Sequence, residues 1–537
     1  MKDYLFRTED IKPEDILKYF VESKADRVVI DALKNRNPTI IVGSRGVGKS
    51  FLLRVAQKEL LEGLVDSDSK VFPIYLSFVK SSLLQTEDPE QFKHWMLAKL
   101  CSATIRALSK AGLLGTIPKS AKILAGTSDV TDLPPTPIET ITEQYENSWK
   151  KTAEVIDSTA IPSVDDLKEA LEDLAEELGI ERFVYLIDEA AHIFMPANQR
   201  QFFTLFRDLR SHCITCNAAV YPGVTNYGET FQPTHDATTL SIDRDVLSSG
   251  YVENMREIVE KQAESSVLKN IAQNGKNFAV LAYAASGNPR ILLKTLAAAP
   301  KLNSTEVNEA IKDFYLSKIW AEHSALAEKY EGHKALIDWG RNFVESIVLP
   351  ELKKKNDQYL SDDKNTSTYI WLHRDAPAII KEALRILSYT GVLMEQESGL
   401  KATRAATGTR YFVNLGCLFT QETNPALTGI DIARGLTVKR MTEFGANHSA
   451  FKPVLEKKID IDGVKSFNLA NQLKKSISVL DLTSWQKSKL DEMSIKTIED
   501  LLTSTEQKLK TANYVGDVRA RQMKNAAFAS VFEYLSG

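Results

Sequence analysis

The stretch "TIIVGSRGVGKSFLLRV" at 39–55 constrains this chain more than any other. A short apolar run reads as a buried strand, a glycine-rich loop leaves it, and a helical pattern follows. "GSRGVGKS" fits G-x-x-x-x-G-K-S with Gly43, Gly48, Lys49 and Ser50. Glycines let the backbone curl so that the N–H groups of Gly43, Ser44, Arg45, Gly46, Val47, Gly48, Lys49 and Ser50 line an anion nest. The nest opens a helix whose N-terminal dipole favours negative charge. Lys49 is then expected to reach the β- and γ-phosphates of a nucleotide, and Ser50 to coordinate Mg²⁺.

A second motif supports the first. In "FVYLIDEAAHIF" an apolar strand runs into Asp188 and Glu189. Ligands of parallel sheets sit at the carboxyl ends of their strands. Asp188 is expected to hold Mg²⁺ and Glu189 to orient the attacking water. No guanine-reading N-K-x-D segment stands out, so ATP is the expected nucleotide.

The pattern along the chain agrees with a parallel α/β sheet covered on both faces. Strands are expected at 38–42, 70–79, 182–194 and 213–225, and a helix at 51–64. Helix 163–179 has Ser163 as N-cap and Gly179 as C-cap. The segment 115–139 is rich in turn residues and reads as an exposed loop within a long insertion. After about 250 the pattern becomes helical, with a polar linker expected at 355–365 and a second linker over 426–475.

Composition limits the partners. A chain of 537 residues should divide into about three or four domains. Its net charge of −4 gives no global attraction to nucleic acid or anionic lipid, so such binding needs local patches. No apolar run is long enough for a membrane span. The acidic, polar start does not read as a signal peptide, and four cysteines suit a reducing cytosol, so a cytoplasmic protein is expected. Cys213 and Cys216 form a lone C-x-x-C, half a zinc or redox site at most. They are expected to be buried structural thiols.

In "AASGNPRILLKTL" Arg290 stands at the start of a helix in the helical region. With the two nucleotide motifs, this segment resembles the AAA+ ATPases, in their origin-recognition-complex-like initiator branch, over roughly 1–420. The resemblance implies a parallel-sheet P-loop domain (1–250, with a helical insertion near 80–180), a helical lid (251–330) and a winged-helix domain (331–425). It implies that Arg290 is the second sensor, contacting the γ-phosphate. The first sensor would lie in "AAVYPGVTNYG", as Thr225 or Asn226. Such enzymes complete their site with an arginine from a neighbouring subunit, so a homo-oligomer is implied, with Arg207 or Arg210 of "QRQFFTLFRDLRSH" in that role.

"DAPAIIKEALRILSYTGVLMEQESGLKATRAATGTRYFVNLGCLFTQ" (375–421) has the order of a winged helix. Lys401, Arg404 and Arg410 in its wing suit phosphate contacts, and such modules also dock proteins. The last segment resembles the C-terminal domain of the RNA polymerase α subunit and related helix-hairpin-helix modules. That resemblance places Gly516, Arg519, Arg521 and Lys524 against DNA, although Val518 stands where the usual second glycine would be. The sequence thus points to an ATPase coupled to duplex or single-stranded DNA. The competing reading is a regulatory ATPase switch that assembles with a separate effector protein, as in bacterial anti-phage defence.

Overall fold

The structure, a computed structural model, describes residues 4–66, 70–84, 90–114, 119–126, 135–148, 156–190, 196–329, 333–402, 406–455, 473–480 and 482–535. Five parallel strands form the first sheet: β1 (Thr39–Val42), β2 (Val71–Ser77), β3 (Arg182–Asp188), β4 (Ile214–Val220) and β5 (Thr238–Ser241). Their order is β2-β3-β4-β1-β5. β3 and β4 are buried along their whole length, as helix-covered parallel strands must be. β5 is mostly exposed and polar, which is why its "TTLS" gave no strand signal. β1 lies between β4 and β5, so the loop leaving it opens beside the ends of β3 and β4.

The helices around this sheet are locally well specified. Lys24–Lys34 starts at a capping box between Ser23 and Asp26. Val164–Leu178 starts at one between Ser163 and Asp166, and it ends at Gly179 with φ 61°. Both caps of that helix are where the sequence placed them.

The insertion is more ordered than expected. Helix Gln91–Lys110 packs on β2 and on Val164–Leu178, Lys119–Ala125 packs on Val164–Leu178, and Pro137–Asn147 packs on both of these insertion helices. Of the exposed loop expected at 115–139, residues 119–125 are instead the second of these helices, which buries Ala121, Leu124 and Ala125, while 115–118 and 127–134 lie outside the described residues. Thr136 and Glu139 form a further capping box. That T-x-x-E signal was present in "TPIE" but obscured by Pro137 within it and Pro134 and Pro135 before it. All four cysteines are buried. Burial pushes the Cys216 thiol up to about 12, which fits an unreactive structural role.

The C-terminal half holds the larger departures. A second sheet of order β7-β8-β6-β9 comprises β6 (Tyr369–His373), β7 (Leu393–Lys401), β8 (Thr407–Val413) and β9 (Thr442–Phe444). β7 and β8 form the expected hairpin, and helix Ala378–Tyr389 lies between β6 and β7. The linker expected at 355–365 begins as helix: Leu349–Ser361 is continuous, and its buried Asn356 bonds the main chain of Ser367. The linker expected over 426–475 is folded at its start. Pro425–Arg434 is a helix burying Ala426, Ile430 and Ala433, and β9 joins β6. Residues 456–472 lie outside the described residues. One hydrophobic core runs from the helices after 250 into the second sheet, so no break in packing falls near 330.

The last helices, Ser484–Glu492, Ile498–Thr503, Glu506–Leu509 and Asp517–Leu535, have a core of their own around Leu490, Leu501 and Met523. Asp517–Leu535 packs on the short turns Thr8–Asp10 and Val79–Leu83 of the first domain. Asn525 Nδ2 donates to Asp10 Oδ1 at 2.9 Å.

Candidate functional site

The loop leaving β1 takes the shape its glycines allow. Gly46 (φ 88°) and Gly48 (φ 109°) are left-handed, a conformation that strains any side chain. A Cβ on Gly46 would lie 2.8 Å from Asn288 Oδ1 and 2.9 Å from Arg290 Cβ. Helix Lys49–Asp66 begins where the loop ends. The loop opens into a cavity of about 390 Å³ lined by Lys49, Ser50, Glu189, Tyr221, Arg244 and Arg290, with Tyr19, Phe20 and Phe51 forming an apolar side.

Lys49 Nζ donates to the carbonyls of Gly43 (2.6 Å) and Ser44 (3.1 Å). Burial lowers its ammonium to about 8, against the pull of Glu189 and Asp188. At the end of β3, burial and then Glu189 push the Asp188 carboxyl up to about 6. Asp188 accepts from Tyr75 Oη at 2.8 Å and from the Ser50 hydroxyl. Glu189 has φ 56°, a left-handed backbone that a non-glycine residue rarely adopts. Ser50 and Asp188 offer hard oxygen donors side by side, so the residues fit Mg²⁺.

Arg290 Nε donates to Phe6 O at 2.9 Å. Burial, then Arg45 and Arg7, push its guanidinium down, so several cations face one space. Such crowding is favourable only when an anion occupies the centre. The helix bearing Arg290 is tied to the loop directly, because Asn288 Nδ2 donates to Arg45 O at 2.7 Å while its Oδ1 caps the helix. Arg244 Nη1 donates to Val47 O at 2.9 Å, and its Nη2 lies 3.5 Å from Asp26 Oδ2. The sequence reading missed Tyr75 and Arg244, whose spacing carries no motif, and gave Asn288 no role.

Not every expected residue reaches the cavity. Thr225 Oγ1 donates to Tyr221 O, and Asn226 is bound by Gln199 and Gly228; both shape the turn after β4. The residue at the tip of β4 is instead Tyr221. Its hydroxyl donates to Glu189 Oε1 and Oε2 at 2.9 and 2.8 Å. The polar tip of a tyrosine after an apolar run is easily read as core. Arg207 is engaged within its own chain, by Asp208 and Thr230 O, whereas Arg210 is exposed.

The expected nucleic-acid residues divide in the same way. Lys401 is exposed at the end of β7, and Arg404 lies outside the described residues. Arg410 is corrected: it lies within the sheet with 14% of its side chain exposed, bonded to Glu397 and stacked near Tyr369. Lys524 is corrected too, because its ammonium donates to the carbonyls of Leu501, Leu502 and Ser504, closing the end of a helix. Arg519 lies 4.7 Å over the Trp485 ring and donates to Tyr514 O. Arg521 is partly exposed. In this turn Tyr514 takes the left-handed conformation (φ 67°), a role Gly516 does not play.

The ORC-CDC6-like family model matches residues 4–369. Among solved structures, the ORC1 protein of Aeropyrum pernix in complex with DNA is 12% identical, with 78% of this chain and 95% of that chain covered and a TM-score of 0.33. A Walker-type ATPase of Pyrococcus abyssi is 14% identical, with coverage of 80% and 97% and a TM-score of 0.39. The A. pernix ORC2 protein in ADPNP and ADP complexes is 12% identical, with coverage of 77% and 93% and a TM-score of 0.37. No curated protein matches the chain. A phosphate-binding loop, a carboxylate pair at the end of β3 and an arginine-bearing helix tied to that loop thus occur in a chain matched over most of its length by one family model, and the chain belongs to the ORC-CDC6-like family of AAA+ P-loop ATPases.

Proposed function

We propose that the chain binds ATP with Mg²⁺ in the cavity at β1 and hydrolyses it, and that nucleotide state is coupled to DNA held by the C-terminal half. The observation that carries the ATPase part is the convergence of Lys49, Glu189 and Arg290 on one cavity, with Asp188 bonded to Ser50 beside it. Lys49 exchanges its bonds to the carbonyls of Gly43 and Ser44 for bonds to phosphate oxygens. Ser50 and Asp188 hold the cation. Bound Mg²⁺ neutralises charge on the transferring phosphoryl group. Glu189 accepts a hydrogen bond from the attacking water, and Arg290 faces the γ-phosphate. The apolar side formed by Tyr19, Phe20 and Phe51 receives the base.

The DNA part rests on the helix–hairpin unit of 378–413, read as a winged helix with Lys401 at the end of β7, and on Arg519 and Arg521 of the last domain, read as a helix-hairpin-helix. A homo-oligomer in which Arg210 enters a neighbour's site fits its exposure. A second reading has its own support. Arg410 and Lys524 are engaged internally, while Tyr514 (85% exposed) and Val518 (50%) present an apolar surface on the last domain. That surface suits a separate effector protein and a switch role, including one in anti-phage defence.

ATP turnover measured with and without duplex DNA at two salt concentrations separates these. Stimulation that vanishes at high salt supports the DNA reading, because phosphate contacts release counterions. Turnover indifferent to DNA at both salts favours the effector reading.

A further inference from the structure

The C-x-x-C of "SHCITC" has no second half in the sequence, but the fold brings Cys213 other company. Cys216 is sealed within β4, whereas Cys213 stands just before that strand, beside His212 and Glu172. One donor atom from each (the Cys213 sulfur, a His212 ring nitrogen and a Glu172 carboxylate oxygen) lies within 4.8 Å of the other two. His212 Nδ1 and Glu172 Oε1 are 3.9 Å apart. The backbone carrying these groups is held in place. Cys213 O accepts from Phe183 N at 2.8 Å, Cys213 N donates to Ser211 Oγ at 3.3 Å, and Arg36 Nη1 donates to His212 O at 3.3 Å. Glu172 sits on the capped helix Val164–Leu178, anchored by buried Leu171 and Leu174. That helix also carries Glu169, Asp173 and Glu176, with Lys168 as its only basic residue, so its field favours a cation. The nearby Arg36 is itself paired with Glu181.

We propose that Glu172, His212 and Cys213 bind a zinc ion. A thiolate, an imidazole and a carboxylate suit a borderline-soft divalent metal, whereas Mg²⁺ and Ca²⁺ take oxygen donors. Zinc bonds of about 2.0–2.3 Å set neighbouring tetrahedral donors about 3.3–3.6 Å apart. Closing the set therefore needs a contraction of about 1 Å. His212, with 80% of its side chain exposed, supplies it by rotating about its own side-chain bonds. Water takes the fourth position, on the solvent side. As the sulfur–metal bond forms, the thiol proton passes to solvent, so metal and proton compete at Cys213. The ion ties the entrance of β4 to helix Val164–Leu178. This is the far end of the sheet from the nucleotide cavity, since Asp188 ends β3 and the strands are parallel. The site stands independently of the ATPase reading.

The test titrates the full chain, stripped of metal by a chelator, with Co²⁺ alone. Cobalt takes zinc's place and reports its donors by colour. A single equivalent is expected to raise a near-ultraviolet thiolate-to-cobalt band, which an equivalent of Zn²⁺ then bleaches. Cobalt in the nucleotide cavity would meet oxygen donors and give no such band. Cys213→Ser is expected to lose the band. His212→Ala and Glu172→Gln change side chains at the surface and leave the fold intact. Each is expected to keep the band and weaken metal affinity about tenfold or more, since even the outer partners of metal ligands are worth about 10–100-fold. Wild type that shows no thiolate band with Co²⁺ overturns the proposal. So does a band that survives Cys213→Ser, or an affinity unchanged in both His212→Ala and Glu172→Gln.

Discussion

The nucleotide cavity and the last helical domain treat charge in opposite ways. In the cavity, burial and like charges push Lys49 and Arg290 down and Asp188 up, so each is held in a form it resists. In the last domain, Lys510 pairs with exposed Asp517, and Lys524 is enclosed by three carbonyls. Electrostatic strain concentrated at one place marks where an anion and a cation are to be bound, because the fold alone gains nothing from it. Charges satisfied within the chain mark scaffold. By that measure the ATP site is built, and the basic residues of the last domain are only partly available to a partner.

Removing strained groups should disable the site far more than it disturbs the fold. Lys49→Ala is expected to lower ATP turnover by about 10²-fold or more, the scale of losing a preorganised charge at a reacting group, while thermal unfolding stays near wild type. A variant that unfolds instead would make Lys49 scaffold. A buried group outside the site gives the next effect. His323 is held neutral, its pKa pushed down to about 4 by burial, with Ile337 O and Thr390 Oγ1 as partners. The unfolded chain takes up a proton there near pH 6.5 and the folded chain only near 4, so stability is full above 6.5 and falls as pH drops through that window. The ceiling is about 3 kcal/mol. Denaturant titrations of wild type and His323→Gln at pH 7 and pH 4.5 measure it; equal losses in both would assign the acid sensitivity elsewhere.

Gly46→Ala tests the hinge between loop and arginine helix. It is expected to cost about 1–3 kcal/mol from left-handed strain and to weaken ATP binding, because the new methyl presses on Asn288 and Arg290. The smallest effects should separate the basic residues of the last domain. Lys524→Met should destabilise that domain by about 1–3 kcal/mol, through carbonyls left without a donor, and leave the salt dependence of any DNA binding unchanged. Arg521→Ala should reduce the slope of log affinity against log salt by about one. The reverse pattern would undo the contrast between built site and scaffold.

The sequence showed the site's charged ends better than its supports. Gly43 to Ser50, Asp188 and Glu189 were legible because phosphate and metal chemistry restrict residue type and spacing. Asn288 and Arg290 were legible as a run but not as a tie to Arg45. Tyr75, Tyr221 and Arg244 act through contacts between distant elements and leave no spacing to read. In the fold, the helix Pro425–Arg434 was hidden because its apolar positions face helices distant in sequence. Arg410 was misread because a basic residue in a strand looks exposed until its neighbours, Glu397 and Tyr369, are placed.

The most direct test of the central claim is single-turnover ATP hydrolysis by wild type and Glu189→Gln, with ATP affinity measured on the same samples. The account predicts that affinity is kept and the hydrolysis rate falls about 10²-fold, as for loss of a water-orienting carboxylate. Equal rates in the two proteins would contradict it, and would remove Glu189 from the reaction.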